Sequence, residues 1–284
     1  MVKIGIIGGS GLYEIDGLTV KQEKVVDTPF GRPSDVIIIG SLDGHDVAFL
    51  ARHARGHLIP PHQINFRANI YALKSLGVES IISVSAVGSM KKEIKPGDIV
   101  IVDQFFDRTK MRHQTFFEDG IAAHVSFADP VCPDMFNKLF ESAKAVGADA
   151  HKGGTYICIE GPMFSSRAES NIYRSWDVDV IGMTNYQEAK LAREAEICYA
   201  TIALSTDYDC WLDTEENVDV QMVLEVMKKN VLTAKQIIKH VIPALLVERT
   251  CKCRKALEYA IITDRTKISD QTKKRLKPII EKYM

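Results

Sequence analysis

The chain has 284 residues, of which 46% are hydrophobic and 26% charged, and it carries a net charge of −1. That length allows one large domain with a deep core, or two small ones. The near-zero charge offers no basic field for nucleic acid or anionic membrane, and no apolar run approaches the ~20 residues that cross a bilayer.

Met1–Gly8 runs straight into a turn, without the long apolar region and cleavage site of a signal peptide, so a cytoplasmic protein is expected. Lys3–Ile7 is a short β-rich run ending in Gly8-Gly9-Ser10-Gly11. Asp35–Gly40 and Val47–Leu50 read as strands around the turn signal Leu42-Asp43-Gly44-His45. After Pro60-Pro61, the apolar residues Ile64, Ala68, Tyr71, Ala72 and Leu76 recur at helical spacing across Gln63–Leu76. Glu79–Val84 and Asp98–Val102 are further strands, and Asp134–Val146 is helical. Thr155–Ile159, Val178–Ile181 and Ile197–Leu204 read as strands, with helices at Ser166–Trp176 and Gln187–Glu194 between them. Val218–Val241 reads as one long amphipathic helix stopped by Pro243. No repeat or linker divides the chain, so one α/β domain to about residue 245 is the economical reading. Residues 246–284 are rich in Lys and Arg and helix-compatible, and form an appendage at the surface or a subunit contact.

Several segments carry groups that bind anions. Gly8-Gly9-Ser10-Gly11 follows a strand at once, and such glycines let backbone N–H groups converge on one point. The spacing is wrong for a dinucleotide fingerprint, because position 13 is Tyr. Arg52-His53 closes a strand with a planar guanidinium fork and a directional donor, although a solvated cation is an equal reading of that segment. His53 and His57 have a metal-like spacing, but Gly56 and two prolines argue against the helix it needs. Ser83–Ser89 and Met183-Thr184 end two more strands with hydroxyls. A phosphate-sized anion is the natural ligand for such converging strand ends.

The segment Ser205-Thr206-Asp207-Tyr208-Asp209-Cys210-Trp211 leaves the last apolar strand with two carboxylates two residues apart. Alternation along a strand puts both on one side, where they can grip two atoms of a flat polar ring. A helix cap plus a solvated turn acid is the competing reading. Cys132, Cys158, Cys198 and Cys210 lie in or beside apolar segments, as small buried residues. Cys251-Lys252-Cys253 lies on a charged stretch and reads as a short disulfide or as half of a metal site, with no second close-spaced Cys or His pair to complete a zinc quartet.

GIIGGSGLY (5–13), ARHARGH (51–57), EIKPGDIVIVDQFFDRT (93–109), IEGPMFSSRAES (159–170) and STDYDCW (205–211) together resemble 5′-methylthioadenosine phosphorylases, of the trimeric branch of the purine nucleoside phosphorylases. The likeness is collinear over residues 2 to about 245. It implies a single α/β domain with a central mixed, partly barrel-like β-sheet flanked by helices. Carried over by position, it makes Ser10, Arg52, His53, Ser85 and Thr184 phosphate ligands, with the Ala86 backbone nearby. Phe164 and Met183 resemble the walls that pack base and ribose, and Asp207 and Asp209 the base-reading pair. Val220, Val223 and Leu224 would line a 5′-methylthio pocket, and His124 resembles a residue delivered by a neighbouring subunit of a trimer or hexamer. Where relatives usually have a Thr-Val-Pro-Glu type of sequence, this chain reads Asn185-Tyr186-Gln187-Glu188. Likeness to thermophilic members implies Cys251–Cys253 and Cys132–Cys198 cystines.

The implied reaction is phosphorolysis of 5′-methylthioadenosine, with orthophosphate as co-substrate and neither cofactor nor metal. Asp207 would protonate N7 of the departing base, and Asp209 would accept from the 6-amino group. The positions where a 6-oxopurine enzyme of this branch presents Glu and Asn match Ser165 and Asp207, which favours adenine. The rival readings are a purine nucleoside or methylthioinosine phosphorylase of the same fold, a water-using nucleoside hydrolase, and a non-catalytic nucleotide-binding module.

Overall fold

A computed structural model describes residues 2–9, 12, 15–212 and 220–284, the side chains of 220–224 excepted. Along the chain the strands and helices are β1 (Ile4–Gly8), β2 (Leu18–Lys24), β3 (Ile37–Leu42), β4 (His45–Ala51), α1 (Phe66–Ser75), β5 (Ser80–Ser89), β6 (Ile99–Ile101), β7 (Gln104–Arg108) and α2 (Pro133–Ala145). Then follow β8 (Ala150–Lys152), β9 (Thr155–Ile159), α3 (Arg167–Ser175), β10 (Val180–Gly182), α4 (Asn185–Glu194), β11 (Cys198–Asp207), α5 (Val220–Leu245), α6 (Asp270–Arg275) and α7 (Lys277–Ile280). The strands make one mixed sheet in the order β2-β3-β4-β1-β5-β10-β9-β7, with β11 pairing β5 and β6, and β6 pairing β8.

Side-chain alternation along β1 explains the layering. Ile7 faces one core with α1, α4 and the apolar residues of 257–280, while Ile4 and Ile6 face a second core with α2 and α5. Residues 246–284 thus place Leu257, Leu276 and Ile279 in the first core and Cys253 in the second.

The middle of β5 shapes the site. Its first half pairs in parallel with β1 as far as Ser83, and its end pairs antiparallel with β10 from Gly88. On the other side β11 runs alongside from Ser80 to Gly88. Among the described residues, 84–87 therefore lack a strand partner on one edge. Ala86 and Gly88 are the only β5 residues with appreciable solvent access, so a cleft opens there.

Three expectations are corrected. β5 continues to Ser89, so Ser85 and Ala86 lie within the strand, which does not end at Val84. Pro243 lies inside α5, which runs two residues further; that late in a helix, the missing N–H costs one hydrogen bond in the last turn. All six cysteines are free, so neither Cys251–Cys253 nor Cys132–Cys198 is bonded. The physical reason is convergence: the four sulfurs gather as one group, with Cys198 and Cys251 3.3 Å apart, well beyond the ~2.05 Å of a disulfide bond. The unusual stretch from Asn185 opens α4 directly after Thr184.

Candidate active site

β1, β4 and β5 run parallel, so their C-terminal ends share one edge of the sheet. Arg52, just past β4, turns inward there and is only 2% exposed. Its Nε donates to Glu188 Oε1 at 2.5 Å and its Nη2 to Glu188 Oε2 at 3.1 Å. Nη1 donates to Val84 O at 2.8 Å, and Nη2 to Ser83 Oγ at 2.6 Å and Ile7 O at 3.5 Å. One Nη1 hydrogen is left without a partner among the described residues. Ser83 Oγ and Tyr199 OH also donate to Glu188 Oε2, at 2.8 and 3.0 Å. Asn185 Nδ2 donates to Tyr199 OH at 3.1 Å and Ser83 Oγ at 3.2 Å. Asn185 and Glu188, at the start of α4, thus join the buried network around Arg52. A buried charge pair whose lone pairs are this well used holds a fixed geometry.

β10 comes back beside β5, which brings the hydroxyls of Thr184 and Ser85 within 3.4 Å of each other. His53 lies next to Arg52 and stacks on His57, ring centroids 4.3 Å apart. Its Nδ1 is 2.8 Å from Ile59 O. A carbonyl can only accept, so Nδ1 carries the proton and Nε2 is the free nitrogen. Burial, with the Arg52 charge second, pushes the His53 pKa down to about 4. His53 is therefore neutral at pH 7, with Nε2 an acceptor.

That depression has a sign. The unfolded chain takes up a proton on this histidine near its ordinary 6.5, while the folded chain resists down to about 4. Stability is therefore lost as pH falls across that window, by up to ~3 kcal/mol. Glu194, pushed up to about 7 mainly by burial, works in the opposite direction between its ordinary value and pH 7. The difference between the native chain and His53→Gln isolates the histidine: denaturant midpoints should be insensitive to the substitution's charge at pH 7.5. Below pH 6 the variant should lose less stability than the native chain; parallel pH curves would contradict the assignment.

At the other end of the cleft, Asp207 pairs across from Gly88 of β5. A Cβ on Gly88 would lie 3.0 Å from Asp207 Oδ1 and 3.4 Å from Asp209 Cβ, so both acids crowd this glycine. Strand alternation is not what unites them. β11 ends at Asp207, and Asp209 sits in the left-handed region at φ 53°. Its N–H donates to Asp207 Oδ1 at 2.8 Å, closing a tight turn. Thr206 Oγ1 donates to Asp207 Oδ2 at 2.6 Å. Those two bonds favour the ionised form, yet burial outweighs them and raises the Asp207 pKa. Ser165 Oγ is buried with no hydrogen-bond partner among the described residues, and Cys210 Sγ donates to Ser165 O at 3.4 Å, tying this loop to the acid turn.

Phe164 is 60% exposed. Met183 is half-buried, its Sδ standing 2.5 Å from where a Cβ on Gly161 would be, so only glycine fits there. The His124 side chain is exposed, its backbone N–H donating to Ala260 O at 2.8 Å. Ser10 and the side chains of Val220, Val223 and Leu224 lie outside the described residues; the last three fall in the first turns of α5.

Sequence reasoning missed Arg112. Its Nη1 donates to Met183 O at 2.6 Å and Gln187 Oε1 at 2.8 Å, its Nη2 to Glu160 O at 2.6 Å, and its Nε to Glu160 Oε1 at 3.0 Å. It ties the loop after β9 to the Met183-Thr184 segment. It stands on an irregular stretch, and nothing local in the sequence marks it.

A family profile described as "Phosphorylase superfamily" matches residues 3–243. The S-methyl-5′-thioadenosine phosphorylase of Geobacter sulfurreducens is 57% identical over 282 residues, covering 99% of both chains. A crystal structure of a methylthioadenosine phosphorylase from an antarctic soil metagenomic library superposes with a TM-score of 0.93 at 48% identity, covering 98% of both chains. A methylthioadenosine phosphorylase from Schistosoma mansoni, solved in complex with adenine, gives 0.85 at 36% identity over 91% of this chain and 96% of that one. The fold is thus that of the nucleoside phosphorylases. The chain belongs to the phosphorylase superfamily and, within it, to the S-methyl-5′-thioadenosine phosphorylases.

Proposed function

We propose that this chain is a pentosyltransferase that cleaves 5′-methylthioadenosine with orthophosphate, giving adenine and 5-methylthioribose 1-phosphate. One observation carries the reading: the hydroxyls of Ser85 and Thr184 meet at one end of an open stretch of β5, and Asp207 and Asp209 meet at the other. From Ser85 to Gly88 is about 10 Å of strand, room for phosphate, the ribose C1′ and a purine N7 in line.

In this reading, a phosphate oxygen bonds C1′ as the C1′–N9 bond breaks and its electron pair passes to the purine. Phosphate is held by Ser10, Ser85, Thr184, the Ala86 backbone and the remaining Nη1–H of Arg52. Glu188 offsets the Arg52 charge, so most of the attraction falls to neutral donors fixed in place. Neutral His53 accepts from the phosphate hydroxyl through Nε2. Asp207, whose pKa burial raises, gives a proton to N7, and Asp209 accepts from the 6-amino group. The buried Ser165 hydroxyl, without a partner among the described residues, supports a base edge lying against it. Phe164 and Met183 wall the base and ribose, and Val220, Val223 and Leu224 receive the methylthio group.

No helix among the described residues is long and apolar enough to cross a membrane. We place the enzyme in the cytoplasm as a homotrimer or hexamer needing no cofactor, with the exposed His124 offered to a neighbouring subunit. Residues 1–245 serve as the catalytic domain and 246–284 as an extension.

A substrate panel tests the reading. kcat/KM is expected to fall from methylthioadenosine to adenosine by about 10² and further to inosine. In Asp209→Asn the amide can donate to a 6-oxo group, so the preference for methylthioadenosine over inosine should narrow. Asn also tolerates the left-handed backbone at this position. Comparable efficiency on inosine and methylthioadenosine in the native chain would overturn the assignment.

A further inference from the structure

Four cysteines from three separate stretches of the chain meet at a place the reaction does not use. Cys132 precedes α2, Cys198 opens β11, and Cys251 and Cys253 follow α5. Their Sγ atoms all lie within 4.8 Å of one another. Cys132, Cys198 and Cys253 are buried and Cys251 half-buried. Four sulfurs held ~2.3 Å from a central zinc stand about 3.8 Å apart. The observed spread fits that tetrahedron and is too tight for a four-iron cluster. An all-sulfur set selects a thiophilic metal over magnesium or calcium.

We propose that Cys132, Cys198, Cys251 and Cys253 form a structural zinc site that clamps residues 246–284 to the rest of the chain. On binding, four S–H groups release four protons and the tetrathiolate centre carries a net charge of −2. The surroundings suit that charge. Arg249 Nη1 donates to Cys198 Sγ at 3.7 Å, while also bonding Glu79 O at 3.0 Å and Glu196 O at 3.3 Å. Such outer contacts orient metal ligands.

The clamp has a definite consequence. Just beyond Cys253, the Leu257 N–H donates to Glu196 Oε1 at 3.0 Å and the Leu257 side chain enters the first core. Ala260 and Ile262 then pair with His124 and Ala122. Metal at the cysteines would therefore fix the segment that carries His124. The inference stands on the sulfur geometry and not on the proposed reaction.

The test uses untagged full-length protein, reduced, freed of metal with a chelator, and titrated separately with zinc and cobalt. About one zinc per chain is expected to bind, with a rise in Tm, and cobalt should give the strong d–d absorption of a tetrahedral tetrathiolate. The double variant Cys251→Ser, Cys253→Ser should take up neither ion at the cysteines, whereas Cys158→Ser, whose thiol lies elsewhere, should bind as the native chain does. If the double variant does not fold, the stoichiometry and cobalt spectrum of the native chain still decide. Reduced native protein that binds neither ion overturns the proposal. So does protein whose metal content survives in the folded double variant, or whose isolated form lacks zinc and is short of hydrogens by mass because these cysteines have formed disulfides.

Discussion

Asp207→Asn is expected to lower kcat for methylthioadenosine by about 10²–10⁴ while leaving KM little changed. The carboxyl sits at the end of β11 against Gly88, and burial raises its pKa against the pull of the Thr206 hydroxyl and the Asp209 N–H. A group protonated more readily in the folded state is a burden once pH rises above its ordinary range, because the folded chain must then ionise a buried acid. The sign is therefore that this carboxylate costs stability as pH rises from its unfolded value through its raised folded value. Removing it should leave the variant as stable as the native chain at pH 8, or more so. Loss of turnover without loss of stability separates a catalytic role from a structural one. In the native chain kcat should fall on the alkaline side as Asp207 ionises, and the variant should lack that limb. Unchanged turnover would remove Asp207 from the role of acid.

The largest effect on stability is expected from Arg52→Met. Glu188 is almost wholly buried, and Arg52 is its only cationic partner among the described residues. Removing one partner of such a pair typically costs about 3–5 kcal/mol, because the other charge is left stranded. The double variant Arg52→Met, Glu188→Leu should recover much of that stability, since two apolar groups replace two satisfied charges. It should not recover affinity for phosphate. Denaturant midpoints of the two variants, set beside their KM for phosphate, check both halves. A single variant as stable as the native chain would contradict the buried network.

The strands with an apolar face were legible because their pattern survives in the sequence: Ile4–Gly8, His45–Ala51 and Cys198–Asp207 each bury most of their residues. β2, β7 and β8 were missed. Each ends a path of the sheet and is largely exposed or half-exposed, so no buried face writes a period into it. The second half of β5 was missed because its serines and glycine interrupt the apolar run, whereas pairing with β11 and β10 holds them extended. At the site, Asp207 and Asp209 were found for an incomplete reason: a left-handed turn, not strand alternation, brings them together. Glu188, Arg112 and the convergence of four cysteines depend on contacts between residues 48 to 136 positions apart, which no local spacing encodes. A short Cys-x-Cys motif showed only one side of that last cluster.

Phosphorolysis itself is tested most directly by incubating the purified chain with methylthioadenosine, with and without orthophosphate, and measuring both products. The cleft along β5 predicts adenine and 5-methylthioribose 1-phosphate in equal amounts, with release that stops when phosphate is withheld. Adenine released at the same rate without phosphate, accompanied by free methylthioribose, would contradict it.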